Sequence, residues 1–148
     1  MELDKSMIGL TGEKYVFEVE NRHVRQFVDA IGDHNPLYED QSYAAHSPYG
    51  GTIVPPTFPV AMTDAGGDLP LELDHRRMLH GEQEFLYYQP IRTGDHLYCQ
   101  MKVSDLYERE GNSGKMQFLV LDTEMKNNVG EMVCISRTNI IYRALSNK

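Results

Sequence analysis

The chain is 148 residues long, with 41% hydrophobic and 24% charged residues and ordinary amounts of Gly and Pro; this is the make-up of one globular domain, residues 1–148, not of a disordered or fibrous chain. Its formal charge of −8 excludes a general nucleic-acid or anionic-membrane surface, because either needs a basic face to neutralise phosphate. Only local basic groups, the pair Arg76-Arg77 and Arg92, are open to an anion.

The first residues, MELDKSMIGL, hold no apolar run of signal-peptide length, and no later segment approaches the roughly 20 apolar residues that span a bilayer, so a cytoplasmic protein is expected. KYVFEVE, residues 14–20, reads as a strand. In NRHVRQFVDAIG the apolar residues Val24, Phe27, Val28 and Ile31 fall at helical spacing, with Asn21 as N-cap and Gly32 as stop. GDHNPLYED, residues 32–40, is a turn leading to a second short helix in DQSYAAHS, ended by Pro48 and the pair Gly50-Gly51. PPTFPVAMTDAGG opens with prolines suited to a helix's first turn, which predicts a helix over Pro55–Ala65.

Beyond residue 78 the period changes. DHLYCQMKVSDLY alternates, with Leu97, Cys99, Met101 and Val103 on one face and Tyr98, Gln100, Lys102 and Ser104 on the other. LHGEQEFLYYQPI, KMQFLVLDTEM and EMVCISRTNIIYR are the other strands of the set. RTGD, EREGNSG and KNNVG join them, and connections this short favour an antiparallel meander. Cys99 and Cys134 lie in strand patterns without C-x-x-C spacing and read as buried thiols. A strand, helices and then a run of long strands make an α+β architecture: a curved antiparallel sheet of about five strands wrapped around a central helix, Pro55–Ala65.

FVDAIGDHNPLYED resembles the signature of the MaoC-like hydratases and dehydratases, a hot-dog family that adds water to, or removes it from, acyl thioesters of coenzyme A or acyl carrier protein. GGTIVPPTF and LHGEQEFLYYQPIRTGDHLYCQMKV extend the likeness toward that family's N-terminal, non-catalytic branch, in which one hot-dog unit pairs with a catalytic one. The resemblance implies that Asp33 and the position five residues on share the proton work. That second position is histidine in active relatives and Tyr38 here. Tyrosine, with an ordinary pKa near 10 against about 6.5 for histidine, is a poor base at neutral pH but can still donate. VPPTF also places prolines, which have no N–H, where active relatives offer a backbone donor to the thioester oxygen.

By the same resemblance Asn35, Pro56, Thr57, Phe58 and His80 belong to the substrate-binding surface. Each has a plainer reading. Asp33 and Asn35 suit turn capping, and His80 suits a structural hydrogen bond, with no second ligand at metal spacing. To replace the missing imidazole, His34 would need a rebuilt loop and His46 a second helix that folds back. With the central helix, Phe85, Tyr87, Met101 and Phe118 are expected to line an acyl tunnel.

Three roles follow: the accessory, acyl-binding half of a double-hot-dog hydratase; a self-sufficient homodimeric hydratase using Asp33; or an acyl-CoA-binding module without turnover. None requires a metal or cofactor. All imply an acyl-CoA or acyl-carrier-protein thioester as ligand and a second hot-dog chain, identical or different, because the fold leaves unpaired sheet edges.

Overall fold

Alternation along the three longest strands organises the chain. The computed structural model describes residues 2–62, 67–112 and 114–144. The strands are β1 (Tyr15–Glu18), β2 (Met78–Tyr87), β3 (His96–Gly111), β4 (Gly114–Lys126) and β5 (Met132–Arg143). They form one antiparallel sheet in the order β1-β3-β4-β5-β2. The meander expected of four strands holds only for β3, β4 and β5: β2, joined to β3 by RTGD, pairs instead with β5 at one edge, and β1 pairs with β3 at the other. The hairpin between β3 and β4 is tighter than expected. Much of EREGNSG is strand, Gly111 pairs with Gly114, and the positive φ of 106° at Gly114 suits a glycine after so short a loop. Ser113 lies outside the described residues.

One face of the sheet is buried by two apolar clusters. The first gathers Leu97, Cys99, Met125 and Cys134 from the sheet with Val24, Val28, Tyr38, Val54, Phe58 and Met62 from the segments above it. The second joins Val103, Leu106, Leu119, Leu121, Ile140 and Tyr142, with Leu3, Leu10, Leu69 and Leu71 packed against them. Residues between these positions face outward: Phe118 stacks on Tyr107 at 5.0 Å, and Arg137 forms a bidentate bridge to Asp122. Phe118 therefore cannot line an inner tunnel with Phe85, Tyr87 and Met101, because it alternates with fully buried Leu119.

Helix α1 (Asn21–Ile31) starts one residue earlier than a capping Asn21 would require. Glu20 holds the cap position without a side-chain bond, and Asn21 is the first helical residue. Gly32, at φ 68°, ends the helix as expected and donates to the Val28 carbonyl. Val24 and Val28 are buried, whereas Ile31, the last member of the stripe, is exposed. Two short helices follow, α2 (Pro36–Glu39) and α3 (Gln41–Ala45).

The segment expected to form the central helix is the main departure. Its described part is a four-residue 3-10 turn, Phe58–Ala61, and Thr63–Ala65 lie outside the described residues. Pro59 has no N–H for the Pro55 carbonyl, and the bonds that form run i to i−3: Phe58 to Pro55, Val60 to Thr57 and Met62 to Pro59. Phe58 supplies the cover instead, by inserting a whole ring into the first cluster. No helix among the described residues is long and apolar enough to cross a membrane.

Leu119→Ala is expected to destabilise the chain by about 2–5 kcal/mol in urea denaturation. Phe118→Ala on the opposite face, half-buried and stacked on a single neighbour, should cost less than half as much.

Candidate functional site

The end of α1, the turn after it and the end of β2 meet above the first apolar cluster. Gly32 reverses the chain, leaving Asp33 exposed at the rim. Asn35 then accepts from the Leu37 N–H at 3.0 Å and Pro36 opens α2, so Asn35 acts as a helix cap. One turn later Tyr38 points into the core with 7% of its surface exposed.

Burial, with the nearby charge of Asp33 and the phenol of Tyr49, raises the Tyr38 pKa above its ordinary 10.0. At neutral pH Tyr38 is therefore a neutral phenol, able to donate and unable to act as a base. The structure does bring Asp33 and Tyr38 together, and it adds Tyr49 and Tyr87. Burial, with Cys134 and then Tyr38 nearby, also raises the Tyr87 phenol. Its hydroxyl donates to the Pro56 carbonyl at 2.8 Å. Pro55 and Pro56 offer no N–H beside this group, and the Pro56 carbonyl is already engaged.

Beside this group lies an apolar groove of about 310 Å³, lined by Tyr49, Ile53, Val54, Pro56, Tyr87 and Tyr88 among others. A larger groove of about 720 Å³ beside α3 has several of its polar groups bonded within the groove itself. There Asp40 accepts from the Tyr43 N–H, His46 Nδ1 meets the Ser42 carbonyl, and Ser47 donates to Ala44. The chemistry therefore points to the smaller groove.

The remaining expected site residues are dispersed. Thr57 is exposed next to Pro56. Phe58 is fully buried, with edge-on contacts to Phe17, His23 and Phe27, and acts as a core anchor. His80 stands seven residues before Tyr87 on β2, about 20 Å away along the strand. It bonds Gln83 at 3.1 Å. His34 also points away from the groove: Glu39 at 3.0 Å and Asp29 at 3.8 Å flank its two ring nitrogens, and Glu39 above all raises its pKa. These three exposed residues are the one group among the described residues whose atoms lie close enough to share a metal ion. With both imidazole nitrogens facing carboxylates, the group is an ion-pair cluster.

Arg76 and Arg77 are less open to an anion than their sequence suggests. Arg76 is chelated by Asp74. Buried Arg77 donates to the Arg143 carbonyl and to Glu2 and lies 4.1 Å from the Tyr142 ring centre. Arg92, beside Gly51, lines a separate polar groove.

Tyr49 is the partner of Tyr38 that sequence reasoning missed, and Tyr87, expected only to line the tunnel, joins it. Strand alternation places Tyr87 inward, but nothing in the spacing of SPYGG marks Tyr49.

The sequence matches the family described as FAS1-like, dehydratase domain region, over residues 6–136. A UPF0336 protein of Thermobifida fusca is 36% identical over 132 residues, covering 86% of this chain and 84% of the relative. A UPF0336 protein of Saccharopolyspora erythraea is 35% identical over 152 residues, covering 97% and 93%. Among solved structures, the C-terminally truncated HadBC (3R-hydroxyacyl-ACP dehydratase) complex of Mycobacterium tuberculosis superposes with a TM-score of 0.75 at 21% identity, over 95% of this chain and 99% of that one. The R-hydratase PhaJ1 of Pseudomonas aeruginosa does so at 0.65 and 19% identity, over 99% and 90%. At such identities the likeness is one of fold, and that fold is the hot dog.

Buried phenols and thiols make stability sensitive to alkali. Burial pushes Tyr15 up to about 12 from 10.0, with Cys99 adding to it. Burial likewise pushes the Cys99 thiol to about 12 and the Cys134 thiol to about 11 from 9.0. A raised folded pKa favours the neutral form, so the stability these groups contribute is whole below about pH 9 and is lost as pH climbs toward 12. The urea midpoint should be flat from about pH 7 to 9 and fall steeply above it, and the fall should be shallower in Cys99→Val.

Proposed function

This chain belongs to the FAS1-like dehydratase domain family, and on that premise we propose that it is the accessory, acyl-binding half of a double-hot-dog hydratase or dehydratase acting on acyl thioesters. The observation that carries this reading is Tyr38: where active relatives hold histidine, a neutral phenol stands beside Asp33. Hydration of a 2-enoyl thioester needs a base for water, an acid for the carbon beside the carbonyl, and donors for the developing enolate oxygen. Asp33 and Tyr38 supply a carboxylate and a proton donor. The prolines at 55 and 56 supply no N–H, and the nearby Tyr87 hydroxyl already binds Pro56. Such a site favours holding an acyl group over transforming it.

Assembly fits the same role. The ten-residue β2 is an unpaired edge, mostly exposed, with Leu79 and the adjoining Tyr87 and Tyr88 open to solvent. A long edge with apolar side chains invites pairing with another strand, and the partner we propose is a second hot-dog chain. Two of the structural neighbours, HadBC and ChsH1-ChsH2 of Mycobacterium tuberculosis, are complexes, which is support by analogy of fold. We place the protein in the cytoplasm, as its sequence suggests.

The purified chain is expected to hydrate medium-chain trans-2-enoyl-CoA at well under 1 per second, against about 10 per second for a median enzyme. Turnover of tens per second, abolished by Asp33→Asn, would overturn the accessory role in favour of a self-sufficient homodimer. Tyr38→His alone should restore little, because a missing enolate donor commonly costs about a hundredfold or more in rate. Measuring Tyr38→His beside Tyr38→His/Pro56→Gly separates the two defects, and a large gain from histidine alone would show that the prolines are not limiting.

A further inference from the structure

The inner face of the sheet is interrupted. Along β5 its inward residues are Cys134, Ser136, Thr138, Ile140 and Tyr142, and the middle pair is polar. Ser136 stands opposite Thr123 of β4, and Thr138 opposite Gln83 of β2. A polar band therefore crosses three strands between the cluster of Cys99, Met125 and Cys134 and the cluster of Val103, Leu121 and Ile140. Its members bond one another: Gln83 Nε2 donates to Ser136 Oγ at 2.8 Å, and Thr138 Oγ1 donates to Gln83 Oε1 at 2.9 Å. His80 Nε2 lies 3.1 Å from the same oxygen.

A stable sheet could carry apolar groups here instead, since replacing both partners of a buried hydrogen bond by apolar groups of similar shape can be nearly neutral. The band is also accessible. Ser136 is buried, but Gln83 and Thr138 are half-exposed, and His80 is exposed on the edge strand. Gln83 keeps one amide hydrogen, and Ser136 its hydroxyl hydrogen, uncommitted among the described residues. From Tyr87 to Gln83 along β2 is about 13 Å, within reach of a medium-to-long acyl tail whose thioester sits beside Tyr38.

We infer that Ser136 and Gln83, the latter oriented by Thr138, bind an oxygen substituent, hydroxyl or keto, carried partway along the tail, so that the ligands of this protein are oxygenated acyl thioesters. The inference rests on the acyl-thioester reading above. A hydroxyl or a keto oxygen can accept from the uncommitted Gln83 amide hydrogen and from the Ser136 hydroxyl, while Gln83 Oε1 is held by Thr138 and His80. A plain hydrocarbon leaves the band dry and unmatched.

Calorimetric titration of the full chain with stearoyl-CoA and with mid-chain hydroxystearoyl-CoA and ketostearoyl-CoA tests this. The oxygenated tails are expected to bind about five- to tenfold more tightly than the plain one. Gln83→Leu and, separately, the near-isosteric Thr138→Val should bring that ratio close to one while leaving stearoyl-CoA within about twofold of its original affinity. Equal affinity in the unaltered chain, or a preference that survives both substitutions, overturns the inference and leaves acyl-thioester binding standing. If the folded chain binds none of the three, the acyl-thioester reading falls and the inference with it.

Discussion

The Phe58 ring is enclosed completely, meeting Phe17 of β1 and His23 and Phe27 of α1 at centroid distances between 5.1 and 6.3 Å. A ring of this size, tilted against its neighbours, contributes through both area and edge-to-face geometry. Here it ties three otherwise separate pieces: the sheet's short edge, the one long helix and the proline-rich segment. Because Phe58 fixes that segment, the Pro56 carbonyl reaches the Tyr87 hydroxyl. Because it also fixes α1, the turn after Gly32 delivers Tyr38 to the same place. The candidate site is thus held from below by a contact that takes no part in its chemistry.

The strands were legible because their signal is local: period-two alternation with one buried face writes itself into β3, β4 and β5 residue by residue. The stripe of α1 and its glycine stop were legible for the same reason. The segment at Pro55–Ala65 was harder to read. Its small and apolar residues suited a helix, but Pro59 has no N–H for the Pro55 carbonyl, and the described turn keeps to 3-10 bonding. The nearness of Asp33 and Tyr38 follows from one short turn. Their meeting with Tyr87 depends on where β2 ends relative to that turn, a long-range matter that no spacing encodes. The polar band was hidden differently: Ser136 and Thr138 lie on β5 and Gln83 on β2, and only the register brings the glutamine to the other two.

A site built from a rim carboxylate, one buried phenol with two more at its edge, and a proline carbonyl offers acceptors and neutral donors. It lacks a group that exchanges protons freely near neutrality. In a paired assembly that is a workable division of labour, in which one subunit supplies the reactive groups and the other supplies shape. Selection on the second subunit then falls on tail length and tail chemistry, which makes its inner face the place to look for specificity.

Cys99 and Cys134 sit at matching levels on β3 and β5, with Met125 of β4 between them, so their Cα atoms are about 9–10 Å apart, beyond the reach of a disulfide. Buried in the first cluster, neither meets solvent while the sheet stays covered. The chain therefore carries its own stopwatch for opening. A thiol reagent in solution can act only during the moments when the cover over this cluster opens, and the labelling rate at these two sulfurs counts those moments.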